Sequence, residues 1–135
     1  MNHIIGIGAD ILNSTRVENL IKKFNNLFLS KFFTNYEICN FQKIKNHKKQ
    51  ISYLAKRFAA KESFAKACGT GIGRGINFKD IEVQNNNLGK PEILIKNNKI
   101  DFLNNLFNCK KFKTHLSLSD EGDLVLSYVI IEQIE

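Results

Sequence analysis

Cysteine, proline and long apolar runs are all scarce in this 135-residue chain, and the scarcities narrow what it can be. The three cysteines, Cys39, Cys68 and Cys109, are odd in number, widely separated and without a C-x-x-C or zinc-ligand spacing. Neither a disulfide framework nor a structural zinc site is therefore expected, and the pattern fits idle thiols in a reducing cytoplasm. No segment reaches the roughly 20 apolar residues that a membrane-spanning helix needs. The opening apolar run is short and carries Asp10 where a cleavage region would fall, so no secretory leader is expected. Proline occurs once, at Pro91. No repeat, low-complexity tract or linker divides the chain, and its length can bury one core but not two, so a single domain over residues 1–135 is expected.

With 43% hydrophobic and 24% charged residues, the composition is that of a folded globular chain, not a disordered one. Twenty Lys and Arg against thirteen Asp and Glu leave a net charge of +7, which favours an acidic partner: nucleic acid, anionic lipid, a nucleotide-like substrate or an acidic protein. A module that holds RNA or DNA is the rival class to an enzyme. Against it, the cations are dispersed and no aromatic-rich RNA-binding strand motif is present.

Residues 3–12, HIIGIGADIL, alternate, with Ile5, Ile7, Ala9 and Ile11 on one face and Gly6, Gly8 and Asp10 on the other. The glycines strip side chains where another element would have to approach closely, which would set Asp10 in a crevice; the alternative is a strand end in water. The stretch is not a dinucleotide fingerprint, because the third glycine is missing and the glycines lie inside the strand. Ser14 or Thr15 can cap a helix over 15–24, whose Val17, Leu20, Ile21 and Phe24 keep helical spacing. Its charged side, with Arg16, Glu18, Lys22 and Lys23, is either a solvated face or a docking face for an acidic helix. Residues 25–33 are rich in Asn and Phe, and Thr34 with Glu37 forms a capping box that opens a helix to about Lys43.

The stretch on which the chain centres is RFAAKESFAKACGTGIGRG, Arg57 to Gly75. Ile51, Leu54, Ala55, Phe58, Ala59 and Ala65 sustain a helical period from about Gln50 to Cys68, with Gly69 as its left-handed cap. Arg57, Lys61, Glu62 and Lys66 gather cations and a carboxylate beside a loop of glycines whose successive N–H groups can cradle an anion, which points to phosphate and metal chemistry. Glu62 and Lys66 have the spacing of an ordinary surface salt bridge. The basic run KIKNHKKQ, 43–50, is a solvated surface or a source of cations for a phosphate. Beyond the glycines, two short strands around Ile81–Val83 and Pro91–Lys96 flank the turn NNNLGK, with Pro91 indicating an edge position. A helix is expected over 98–108, and then two strands joined at Asp120–Asp123, with His115, Ser117 and Ser119 on one face and Leu116 and Leu118 on the other. A histidine at the mouth of a polar strand face serves structure more often than catalysis.

Taken together, GIGADI with Arg16, the RFAAKE…GTGIG block, the GKP at Gly89–Pro91 and HLSLSDEGD resemble the holo-(acyl carrier protein) synthase family of bacterial 4'-phosphopantetheinyl transferases, over nearly the whole chain. The resemblance implies an α+β fold, a mostly antiparallel sheet packed on a long central helix with shorter helices. It also implies transfer of the phosphopantetheine arm of coenzyme A to a serine of apo acyl carrier protein in support of fatty acid biosynthesis. Asp10 and Glu62 match the family's Mg2+ ligands, a donor set suited to an ion that prefers hard oxygen and keeps several waters. Lys66 matches the lysine at the pyrophosphate, which makes Asp10, Glu62 and Lys66 the catalytic set. Lys48, Lys49 and Arg57 match basic positions near the 3'-phosphate, Gly69, Thr70 and Gly71 the cofactor groove, and His115 a histidine beside it. Arg16 matches the surface that grips the carrier protein. The family implies a homotrimer with sites at subunit interfaces, in the cytoplasm, with no nucleic acid or membrane partner. Two departures stand out: Asp120, where relatives commonly carry histidine, and a bulkier SYVIIE ending in place of an alanine-rich one.

Overall fold

A 22-residue helix sets the architecture, and its ends follow from two side chains. In the computed structural model, which describes residues 2–134, Asn46 accepts a hydrogen bond from Lys49 N at 2.9 Å and starts the helix at His47, one turn earlier than the apolar period indicates. Gly69 ends it in the left-handed conformation, φ 83°. Apolar residues on several sides of this helix are buried, among them Leu54, Phe58, Ala59, Phe64 and Ala67, as a helix at the centre of a fold requires.

In chain order the elements are β1 (His3–Asn13), α1 (Ser14–Phe24), α2 (Asn26–Phe32), α3 (Asn35–Lys43), the central helix α4 (His47–Cys68), a 3-10 turn (Phe78–Asp80), β2 (Ile81–Asn85), β3 (Pro91–Ile95), α5 (Ile100–Phe107), β4 (Phe112–Glu121) and β5 (Leu124–Gln133). The α+β class and the antiparallel sheet on a long helix are as expected. β1, β5 and β4 form a three-stranded antiparallel sheet in that order, and β2 pairs with β3 in a separate antiparallel hairpin. Pro91 opens β3 opposite Asn85, at the outer end of the ladder where its missing N–H does least harm.

Three local readings change. The cap of α1 is Asn13, whose Oδ1 accepts from Thr15 N at 3.0 Å, and not Ser14 or Thr15. The Asn- and Phe-rich segment contains the short helix α2, which buries Phe28 and Leu29. The capping box of α3 forms as read, but Glu37 does more than cap: it is fully buried, accepts from Thr34 N and Val83 N, and takes Lys61 Nζ at 2.6 Å.

The core has two parts, both lined by α4. One gathers Phe64, Ile76, Ile81, Val83, Leu103, Val129 and Ile131 under the two sheets. The other gathers Leu12, Val17, Phe28, Phe33, Leu54, Phe58 and Val125 under the first helices. From Ile7 on, the apolar side of β1 faces away from both; Ile5, expected on that same face, instead packs against the core under the sheets, because the strand register shifts between Ile4 and Gly6. Ile7 is 55% and Ile11 66% exposed, and Leu124, Leu126 and Tyr128 extend this open face across β5.

Candidate functional site

Close backbone contact builds the site. A Cβ on Gly6 would stand 1.8 Å from the Ala67 carbonyl oxygen, and one on Gly8 1.9 Å from that of Ser63. Only glycine admits β1 to the backbone of α4 at this range. The next residue on that face, Asp10, is thereby delivered beside Glu62 and Lys66, in the crevice the alternation suggested and not in open water.

Lys66 Nζ donates to the Ala9 carbonyl oxygen at 3.0 Å and to Asp10 Oδ1 at 3.1 Å. Among the described residues this is the ion pair Lys66 makes within 4 Å, so the surface bridge to Glu62 that the spacing allows is replaced by a tie between helix and strand. Burial, and next the charge of Asp10, hold the Glu62 carboxyl above its ordinary pKa, against the pull of Lys66 and Arg16. Those causes also locate Arg16, which from α1 lies near enough to act on Glu62. Asp10, Arg16, Glu62 and Lys66 thus share one electrostatic neighbourhood.

Asp10 and Glu62 are hard-oxygen donors whose negative charges disfavour each other, and a dication between them would relieve the penalty. No group of three or more His, Cys, Asp or Glu side chains converges among the described residues. A metal here would rest on two protein carboxylates and take its other oxygens from water and phosphate, the habit of Mg2+. The donor set therefore fits that ion.

The other singled-out residues divide. Gly69, Thr70 and Gly71 follow directly on α4, with Thr70 Oγ1 donating to the Gly71 carbonyl oxygen at 2.7 Å. Lys48 and Lys49 stand at the far end of that helix, about 20 Å along its axis from Glu62 at 1.5 Å per residue. They line a cleft of about 620 Å3 with Thr15, Glu18, His47 and Asp123, which neither Asp10 nor Glu62 reaches. Two of the four charged residues first grouped on α4 turn inward. Lys61 is fully buried, donating to Glu37 and to the carbonyl oxygens of Phe32 and Phe78. Arg57 is 7% exposed, its guanidinium 3.8 Å from the Tyr53 ring centroid and bonded to Asn85. The polarity of Lys61 serves packing, since it ties α4 to α2, α3 and the 3-10 turn. The capping box pointed to Glu37, but no local pattern revealed that it takes a lysine from α4.

His115 stands apart. It is exposed on β4 and holds Glu132 at 3.0 Å. In the ladder it shares a row with Ile130 and Ile7, on the sheet face opposite Asp10 and α4. Within one chain it does not join Asp10.

The chain is similar to known proteins over most of its length. A family model for the 4'-phosphopantetheinyl transferase superfamily matches residues 6–129. The holo-(acyl carrier protein) synthase of Ehrlichia chaffeensis is 44% identical over 128 residues, covering 95% of this chain and 96% of the relative. The crystal structure of the synthase from Neisseria meningitidis matches with a TM-score of 0.84 at 38% identity, over 96% of this chain and 98% of that one. The synthase from Bacillus anthracis, in complex with CoA (3',5'-ADP), matches with a TM-score of 0.79 at 32% identity, over 96% and 97%.

Proposed function

The chain belongs to the 4'-phosphopantetheinyl transferase superfamily, and from that premise we propose that it is a holo-(acyl carrier protein) synthase. It transfers the 4'-phosphopantetheine of coenzyme A to a serine of apo acyl carrier protein, giving holo acyl carrier protein and 3',5'-ADP. The observation that carries the reading is the pairing of a strand carboxylate, Asp10, with a helix carboxylate and ammonium, Glu62 and Lys66, in a chain related to such synthases over 95% of its length.

Asp10 and Glu62 hold Mg2+ in this reading. When bound, the ion neutralises pyrophosphate charge and polarises the phosphoryl group under attack. The seryl oxygen forms a bond to the phosphorus that carries pantetheine, the bond from that phosphorus to the bridging oxygen breaks, and 3',5'-ADP departs with that oxygen. The seryl proton passes to water or to a site carboxylate. Lys66 places a fixed positive charge where the leaving oxygen gains negative charge, and Arg16 adds to the same field while meeting the acidic carrier protein.

The cofactor lies along α4. Gly69, Thr70 and Gly71 line its groove, and Lys48 and Lys49 meet the 3'-phosphate, while Arg57 adds a buried positive charge farther along the same helix. His115 joins the groove of a neighbouring copy, in a homotrimer with sites between subunits. The uncovered apolar face on which His115 lies supports that assembly. The same reading puts the enzyme in the cytoplasm, supplying fatty acid biosynthesis. No helix among the described residues is long and apolar enough to cross a membrane.

Incubating the purified chain with coenzyme A, Mg2+ and apo acyl carrier protein tests the assignment. Mass spectrometry is expected to find one phosphopantetheine added to the carrier. An unmodified carrier, alongside a control synthase that modifies the same preparation, sinks it.

A further inference from the structure

Ser127 is fully buried, and its Oγ meets no hydrogen-bond partner among the described residues. A hydroxyl withdrawn from water and left unpaired weighs against the fold, and alanine would fill nearly the same space without that cost. Position supplies the reason for a hydroxyl. Ser127 is the cross-strand partner of Asp10 in the β1–β5 ladder, so both side chains stand on the sheet face turned to α4. Directly opposed residues bring their Cβ atoms to about 5 Å, and a serine hydroxyl swings among three staggered wells. The backbone of Ser127 is pinned to α4, since Ser63 Oγ donates to its carbonyl oxygen at 3.3 Å, one residue along from Glu62.

We propose that Ser127 is a positioning residue for Asp10. Lys66 satisfies Asp10 Oδ1 in the structure. The Ser127 hydroxyl is the second donor that this carboxylate needs once it shares its oxygens with a dication, and it fixes the angle at which Asp10 meets the ion. The proposal rests on the reading of Asp10 and Glu62 as the metal-binding pair. It adds a residue that touches neither coenzyme A nor the carrier.

Titration of Mn2+ into the full-length chain with coenzyme A present, with unbound Mn2+ read from its paramagnetic resonance signal, tests it in three forms: native, Ser127→Ala and Asp10→Ala. Ser127→Ala is expected to bind Mn2+ about tenfold more weakly, with a melting temperature equal to or above native because the unpaired hydroxyl is gone. A purely structural serine would leave Mn2+ affinity unmoved. If Ser127→Ala binds within about twofold of native while Asp10→Ala binds at least tenfold more weakly, the role of Ser127 falls and the metal reading stands. If Asp10→Ala binds as native does, both fall.

Discussion

Glu62 carries two costs that a bound dication would remove: loss of water around its carboxylate, and the nearby charge of Asp10. Both raise its proton affinity, and the sign of the consequence for stability is fixed. A carboxyl that holds its proton more tightly in the fold than in the unfolded chain stabilises the fold while protonated, and that contribution is lost as pH rises through the raised folded value. At pH 7 the ionised group therefore weighs slightly against folding. Glu62→Gln, which keeps the shape and removes the charge, is expected to melt at or above the native temperature at pH 7. Turnover should fall on the order of a hundredfold, the scale of losing one preorganised electrostatic group. Melting curves and steady-state rates on one preparation check both halves. Unchanged turnover at limiting Mg2+ would remove Glu62 from the metal site. Acid should also weaken metal binding in the native enzyme, beginning at a higher pH than for a carboxylate of ordinary pKa, because protons compete for the same oxygen.

Between elements, the contact of β1 with α4 leaves the least room, and its glycines are legible in the sequence. Gly8→Ala must place a methyl group 1.9 Å from the Ser63 carbonyl oxygen and 2.7 Å from Ala67 N, both backbone atoms that cannot swing aside. A loss of about 3 kcal/mol is expected, at the upper end of overpacking costs, together with weaker metal binding as Asp10 is levered off Glu62. Urea unfolding measures the first, and a stability within 0.5 kcal/mol of native, roughly the scatter of neutral surface changes, would refute it. Alternation marked the bare strand face, and a capping box marked the start of α3, because each depends on residues within one turn or strand. The fate of Lys61 was not legible. Its sequence neighbours suggested a phosphate-facing cation, but its position depends on Glu37, Phe32 and Phe78, which only the tertiary fold brings together. The helix α2 was hidden for a similar reason, since Phe28 and Leu29 gain stability from a core that α4 completes.

At the scale of the whole molecule, the open face of the three-stranded sheet and the isolation of His115 belong to one problem. Ile7, Ile11, Leu126 and Tyr128 are each more than 40% exposed in a single chain, a contiguous apolar surface of the kind that marks an interaction site. Alternation identified this face of β1 as apolar but could not say that α4 takes the other one, because which side of a strand is covered depends on the rest of the fold. His115 lies on the open side, in the row of Ile7, so covering that face with other copies brings the histidine to them and leaves Asp10 on its own helix. Ile7→Asp separates the two possibilities. The residue is 55% exposed, so the change costs a lone chain little, while burial of an unpaired carboxylate between copies would cost several kcal/mol. The native chain is expected to sediment as a trimer and the variant as a monomer with native circular dichroism. Because each site would then lack the neighbour's His115, coenzyme A affinity should fall with the assembly, although Asp10, Glu62 and Lys66 are untouched. A monomeric variant that binds coenzyme A as tightly as the native chain would place the whole cofactor site within one subunit.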